Sequence, residues 1–333
     1  MRRSAILGVG HYVPSKVVTN DDLAKLFNTS DEWIVQRSGI RERRYIEGDG
    51  VFASDLAVPA CKMACEKAGV ALSEIDAIIF ATLSPDAFFP GTGCFLQAKL
   101  GLPGIPALDI RNQCSGFLYG LSIADAWIRA GVYRRVLLVG AEVHSTGLDF
   151  SDAGRDVTVL FGDGAGAVVL GPTEEEGRGL LSLTLGADGR GATDLWIEAP
   201  SSGRSPERIT HQMLDERRQY TRMNGKQVFR WATEKMPEAS RAVLAEAGLT
   251  TSDIDLFVPH QANLRINELV ARKLEIPMEK VVTTIDHYGN TTAASIPLSL
   301  SEALLAGRAG PGSLVLFAAF GSGYTWGAGL LRL

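Results

Sequence analysis

Ala68-Gly69-Val70-Ala71-Leu72-Ser73-Glu74-Ile75-Asp76-Ala77-Ile78-Ile79-Phe80 matches Ala247-Gly248-Leu249-Thr250-Thr251-Ser252-Asp253-Ile254-Asp255-Leu256-Phe257-Val258-Pro259 without a gap, at an offset of 247 − 68 = 179 residues. Each copy reads as a helix end, a glycine stop, an acidic turn and a buried strand. A second pair, Arg135-Val136-Leu137-Leu138-Val139-Gly140-Ala141 and Ser313-Leu314-Val315-Leu316-Phe317-Ala318-Ala319, lies at 313 − 135 = 178. Two matches at nearly one offset predict two similar α/β halves, residues 1–172 and 178–333, broken near the charged, turn-rich Gly171-Pro172-Thr173-Glu174-Glu175-Glu176-Gly177. Runs such as Val136 to Val139 and Ala167 to Leu170 read as strands buried on both faces, so the halves are expected to share one layered core. Residues 200–224 do not fit the repeat. They are polar, carry Arg204, Arg208, Arg217 and Arg218, and read as a surface excursion, a lid or the wall of a substrate channel.

The chain has 333 residues, 46% hydrophobic and 21% charged, which is ordinary globular composition. A net charge of −5 argues against general nucleic-acid binding. No apolar run reaches the roughly 18 residues of a membrane span. Met1-Arg2-Arg3-Ser4 leads into Ala5 to Val9, too short for a signal h-region, so this stretch reads as a first strand and a cytoplasmic protein is expected. The four cysteines are too few for a disulfide scaffold. Cys61 and Cys65, four apart on a predicted helix from Asp55 to Ala68, read as core, and Cys94 as a buried small residue. No two of the five histidines stand at i, i+4 with a carboxylate to join them, so no metal is expected.

Cys114 stands apart. A predicted strand, Ile105 to Ile110, precedes it, and a helix follows in which Phe117, Leu121, Ala124 and Ile128 recur at helical spacing. A cysteine at a helix N-terminus meets free N–H groups and the positive end of the dipole, which favour a thiolate, and Ser115-Gly116 leave room for a substrate. The same context also suits a buried structural cysteine. His260 follows the strand Ile254 to Val258, at the strand end equivalent to Ala81-Thr82 in the first half, where α/β folds bind ligands. Asn290 follows Gly289 in a tight turn after an expected strand from Val281 to Ile285. A Cys/His/Asn set also occurs in papain-like proteases, but the local sequence around the cysteine and the duplicated framework both differ from theirs. His11, His144 and His211 read as structural or surface. The glycines of Phe320-Gly321-Ser322-Gly323-Tyr324-Thr325-Trp326-Gly327 fit either half of an oxyanion hole or a tight turn.

Taken with Asp31 to Arg44, Phe161 to Val168, His260 to Ile266 and Gly289 to Pro297, these segments resemble the thiolase superfamily, and closely the β-ketoacyl-acyl-carrier-protein synthase III family, over nearly the whole chain. The resemblance implies a duplicated thiolase-like α/β fold in five layers, αβαβα, and a homodimer. It implies Cys114, His260 and Asn290 as catalytic residues, with the oxyanion held by the backbone N–H groups of Cys114 and Ser322. It implies Trp33, Arg37 and Arg155 at the nucleotide of coenzyme A, and Gly225 and Asn263 along the pantetheine arm. Phe161 and Phe320 would line the acyl pocket, and Phe89 would shape that of the neighbouring subunit. Gln261 to Arg265 resembles the carrier-protein contact, to which Arg230, Arg272 and Lys273 add basic charge; Arg265 and Arg272 share a helix face. The implied partners are an acyl-CoA and malonyl-acyl carrier protein. Coenzyme A thioester is a substrate, and no permanently bound cofactor is needed.

Three departures bear on the primer. Asn112-Gln113 stand where small residues are usual, residues 200–224 are long, and Ser322 replaces a frequent glycine. They point to a primer that is longer, branched or polar, with Arg217 or Arg218 as a carboxylate partner. The rival readings are a specialised condensing or acyl-transferring relative of secondary metabolism or long-chain ketone synthesis, and a non-catalytic subunit that shapes a partner's pocket. A hydroxymethylglutaryl-CoA synthase would need a glutamate near Ala81-Thr82-Leu83-Ser84, and the sequence has none there.

Overall fold

The computed structural model describes residues 3–203 and 206–333; Met1, Arg2 and the excursion's Arg204 lie outside them. Its two central sheets are built from β1 (Arg3–Tyr12), β2 (Ala77–Ala81), β3 (Ala107–Ile110), β4 (Val136–Glu142), β5 (Gly164–Thr173), β6 (Gly179–Ala187), β7 (Leu256–Pro259), β8 (Leu314–Gly321) and β9 (Thr325–Arg332). The first sheet runs β1-β5-β4-β2-β3 and the second β6-β9-β8-β7. In the first, β1 and β4 are antiparallel to β5, while β4, β2 and β3 are parallel. In the second, β6 and β8 are antiparallel to β9, and β8 and β7 are parallel. A single parallel bridge, Phe257 to Val281, stands where the first sheet has β3. The two orders therefore correspond one for one, and the offsets persist: β7 starts 256 − 77 = 179 residues after β2, and β8 starts 314 − 136 = 178 after β4.

The expected strand from Val281 to Ile285 is thus reduced to one paired residue. Gln261 takes its backbone groups instead, donating to Val282 O and accepting from the N–H groups of Thr284 and Ile285, and Ile285–Tyr288 turn into a short helix.

The helices that frame the sheets are α1 (Asp31–Ser38), α2 (Ala53–Ala68), α3 (Gly116–Arg129), α4 (Gly225–Ala247), α5 (Leu264–Leu274) and α6 (Ser295–Leu305). α2 covers the outer face of the first sheet, where Cys61 and Cys65 pack with Phe80 and Leu137. α4 and α5 cover the outer face of the second, against Phe257, Leu314 and Leu316. Between the sheets lie α3 and α6, whose Leu118, Leu121, Ile296 and Leu300 meet Leu138 from one sheet and Phe317 from the other. This is the five-layer αβαβα arrangement. α3 buries Phe117, Leu118, Leu121, Ala124 and Ile128 between the sheets and keeps its charged Asp125 and Arg129 toward its C-terminal end, where they pair. Replacing Leu121 by Ala is expected to cost about 2–5 kcal/mol, read as a lowered denaturant midpoint at unchanged m-value. Cys94, read as buried, is exposed: on Thr92–Leu100 the buried positions are Thr92, Gly93, Leu96 and Leu100, and Cys94 is not among them.

The two central helices also obey the repeat: α6 begins 295 − 116 = 179 residues after α3. Each is entered through one left-handed residue that is not glycine, Gln113 (φ 41°) and Thr292 (φ 49°), again 292 − 113 = 179 apart. Both helix N-termini meet at the ends of the sheets. At Gly140 a Cβ would run into the carbonyl of Ala293, so only glycine permits this approach.

Candidate active site

The chain leaves β3 at Ile110, turns through Arg111-Asn112, and passes the left-handed Gln113 into a 3₁₀ turn, Gln113–Ser115, that opens α3. Backbone strain of this kind places Cys114 at the helix start. Ser115 Oγ pins the turn, donating to Asn112 O at 2.9 Å and pairing with Thr325 Oγ1 at 2.7 Å. Gly321 abuts the nucleophile's backbone; a Cβ there would sit 3.1 Å from the Cβ and N of Cys114. The N–H groups of Cys114 and Ser322 both reach the Cys114 sulfur, the pair read from sequence as an oxyanion hole. Burial, reinforced by the charge of Glu142, nevertheless pushes the thiol up to about 12, against the pull of those N–H groups. The thiolate expected from helix position alone is outweighed by desolvation, so the resting group is a thiol.

His260 follows the last residue of β7, its N–H bonded to Ala318 O on β8 at 2.8 Å. Its Nδ1 lies 2.7 Å from Oγ of Ser295, the first residue of α6, and its Nε2 is buried with no hydrogen-bond partner among the described residues. Burial holds its pKa near 3, so the ring is neutral. Asn290 is held by the first half: its N–H donates to Leu160 O at 2.7 Å and its carbonyl accepts from Gly162 N at 3.1 Å. Its Oδ1 accepts from Thr292 N at 2.8 Å, which leaves the Nδ2 donors free among the described residues. Ser295, which the sequence reading missed, was findable as the repeat equivalent of Gly116. Ser295→Ala is expected to lower condensation about tenfold while Cys114 still loads with an acyl group, as measured by separate acylation and product-formation assays.

A cavity of about 750 Å³ opens from Cys114 and is bounded by Phe161, Gln113, His144, Leu148, Trp196 and Ser322, among others. Phe320 does not line it; its ring turns into the outer core and packs on Tyr324, with centroids 5.4 Å apart. Phe89 is 81% exposed and does not line the cavity. Thr221, from the excursion, contributes to the cavity wall. Arg217 and Arg218 are not free to meet a carboxylate: Arg217 Nε donates to Asp149 Oδ2 at 2.8 Å and Arg218 NH1 to Glu198 Oε1 at 2.7 Å.

Two guanidinium groups lie over the Trp33 ring, Arg37 at 4.2 Å and Arg155 at 4.7 Å from its centre. Asn263 caps α5 through Arg265 N and donates to Arg37 O at 2.9 Å, tying that helix to α1. Gly225 is exposed at the start of α4. Arg265, Arg272 and Lys273 are exposed on α5, and Arg230 is exposed on α4, where it pairs with Glu234. Gln261 is not a surface contact. It is buried, and its amide is used up by Pro259 O, Val282 O and the N–H groups of Thr284 and Ile285.

Two further groups escaped the sequence reading. Glu142, at the end of β4, is fully buried and accepts from Thr82 Oγ1, the N–H groups of Leu83 and Ser84, and Ser84 Oγ. Burial raises it to about 7. An acid therefore does reach the 82–84 segment, from a different strand than the one inspected. His144, left as structural or surface, lines the cavity. Among the described residues no three His, Cys, Asp or Glu side chains converge as metal ligands, and no helix is long and apolar enough to cross a membrane.

The sequence profile described as 3-Oxoacyl-[acyl-carrier-protein (ACP)] synthase III matches residues 108–189, and that of its C-terminal part matches residues 244–333. The chain is 47% identical over 329 residues to a β-ketoacyl-[acyl-carrier-protein] synthase III of Geobacillus kaustophilus, covering 99% of this chain and 98% of that one. The β-ketoacyl-[acyl carrier protein] synthase III of Thermus thermophilus superposes with a TM-score of 0.90 at 44% identity, over 99% of each chain. A priming β-ketosynthase from the R1128 polyketide biosynthetic pathway superposes with a TM-score of 0.89 at 35% identity, over 99% of this chain and 96% of that one.

Proposed function

The chain belongs to the β-ketoacyl-[acyl-carrier-protein] synthase III family, acyl-transferring condensing enzymes of fatty-acid biosynthesis, and from that premise we propose how its own residues carry the reaction. Cys114 attacks the thioester carbonyl of an acyl-CoA. The tetrahedral oxyanion meets the N–H groups of Cys114 and Ser322, the coenzyme A sulfur leaves, and the cysteine's proton ends on it. Malonyl-acyl carrier protein then loses CO₂. The enolate oxygen is held by Nε2–H of His260 and Nδ2–H of Asn290, and the enolate carbon attacks the acyl-Cys114 carbonyl, releasing a β-ketoacyl product and the Cys114 thiolate, which takes up a proton from water to restore the thiol.

The observation that carries this reading is the buried Nε2 of His260, unpartnered among the described residues. With Ser295 on Nδ1 and Asn290 Oδ1 already occupied, the two free ends are donors, as an enolate oxygen requires. Ser295 is then the hydroxyl donor to Nδ1.

Trp33, Arg37 and Arg155 would take the nucleotide of coenzyme A, offering a ring with two cations over it. Gly225 and Asn263 would follow the pantetheine arm, and the excursion at 200–224 would form the channel wall. The Arg230, Arg265, Arg272 and Lys273 face suits an acidic carrier protein. Residues 1–172 and 178–333 are the duplicated halves. A homodimer is supported by the outer edge of β3, with Leu108, Phe88 and Phe89 exposed nearby; Phe89 would then reach the neighbour's acyl pocket. We place the enzyme in the cytoplasm, with no permanently bound cofactor.

Incubation with radiolabelled acyl-CoA tests the reading. Label retained on Cys114 after denaturation supports it; a folded protein that takes no label on Cys114 would instead be a pocket-shaping subunit.

A further inference from the structure

We infer that the acyl cavity is built for a primer bearing a hydroxyl group, which His144 and Gln113 hydrogen-bond. The inference deepens the acyl-enzyme reading and rests on it.

His144 is 8% exposed. Its ring stands 4.7 Å from that of Phe161, and its Nε2 lies 2.8 Å from Thr292 Oγ1. Thr292 is the residue whose N–H fixes Asn290, so the ring is anchored to the catalytic turn. The other ring nitrogen, Nδ1, has no hydrogen-bond partner among the described residues, and the residue lines the cavity that holds Cys114. Gln113 precedes the nucleophile, lines the same cavity, and its side-chain amide is likewise unpartnered among the described residues. A wall meant for a plain alkyl chain would be apolar. Laying a methylene chain against an unpaired ring nitrogen and an unpaired amide strips both of water and returns nothing.

The chemistry of the two groups selects the oxygen function. Burial keeps His144 neutral, so it offers no charge to an anion. Among the described residues Asp49 and Asp86 line the cavity against one cation, Arg111, and Glu142 lies behind its wall, so a carboxylate finds no excess of positive charge there. A keto oxygen only accepts, and meets only one tautomer of His144. A hydroxyl donates and accepts, and so meets either tautomer, and either end of the Gln113 amide.

The test measures acyl transfer to Cys114 from butyryl-CoA, 3-hydroxybutyryl-CoA and 4-hydroxybutyryl-CoA, a step that does not call on Asn290. One hydroxylated chain is expected to load with a kcat/KM at least about tenfold above butyryl. His144→Leu and Gln113→Ala are each expected to narrow that ratio, whereas a purely structural role would slow all three substrates alike. Butyryl loading as fast as, or faster than, both hydroxylated chains overturns the inference and leaves the acyl-enzyme reading standing, as does a ratio that neither variant changes. Loading by none of the three overturns the acyl-enzyme reading itself.

Discussion

Cys114→Ala is expected to abolish acyl loading and to lower condensation by about 10⁴-fold or more, with the fold intact. The sulfur is the nucleophile that the N–H groups of Cys114 and Ser322 reach. Alanine keeps the Cβ that Gly321 packs against, and removes a single buried atom. The thermal midpoint should therefore move by only a few degrees, while β-ketoacyl product and protein-bound label both vanish. The thiol's high resting pKa sharpens the expectation. Because the cysteine is a thiol at neutral pH, alkylation by iodoacetamide should be slow at pH 7 and speed up steeply toward alkaline pH. Product formation by the alanine variant within tenfold of the natural enzyme would remove Cys114 from the mechanism.

The duplication was legible because it is written in local pattern: buried runs of β-branched and aliphatic residues, glycine stops and acidic turns recur at one offset. That same offset placed His260 at a strand end, and it reaches further than strands, since Gly116 maps on Ser295 and Gln113 on Thr292. What escaped was decided in three dimensions. Gln261 was placed at the carrier-protein contact by resemblance alone; its burial comes from a loop 21–24 residues away in sequence that it holds by its amide. Glu142 serves a turn some sixty residues away, so no inspection of residues 81–84 could reveal it. Val281 to Ile285 has strand composition, but a strand needs a neighbour, and only Val281 finds one. Arg217 and Arg218 were read as free charges although Asp149 and Glu198 meet them across the fold and Glu216, two residues away, also pairs with Arg218. The left-handed backbone of Gln113 left no trace at all, for glutamine carries no signal for it.

His260→Ala and Asn290→Ala are each expected to lower condensation by about 10²–10³-fold, the size of losing one donor to a developing oxyanion, while Cys114 still takes up acyl label at close to the natural rate. That split follows from the proposed roles: the loading step uses the N–H groups of Cys114, in the turn before α3, and Ser322, just after β8, whereas these two side chains would meet only the malonyl unit. The pH dependence discriminates further. His260 is neutral down to about pH 3, so condensation should show no step near 6.5, the ordinary imidazole value. Stability behaves differently. A histidine whose folded pKa is lowered binds protons more readily when unfolded, so stability is whole above about 6.5 and is lost as pH falls from there toward 3. His260 and His144 both act in this sense. Glu142 acts in the opposite one: its raised pKa makes the folded state the better proton binder between about 4.5 and 7, so its contribution fades as pH rises through that window. Acid inactivation should thus track unfolding, followed by circular dichroism, and not titration of the catalytic ring. A condensation rate that drops around pH 6.5 in protein still fully folded would mean that His260 works as a titrating base and not as a fixed donor.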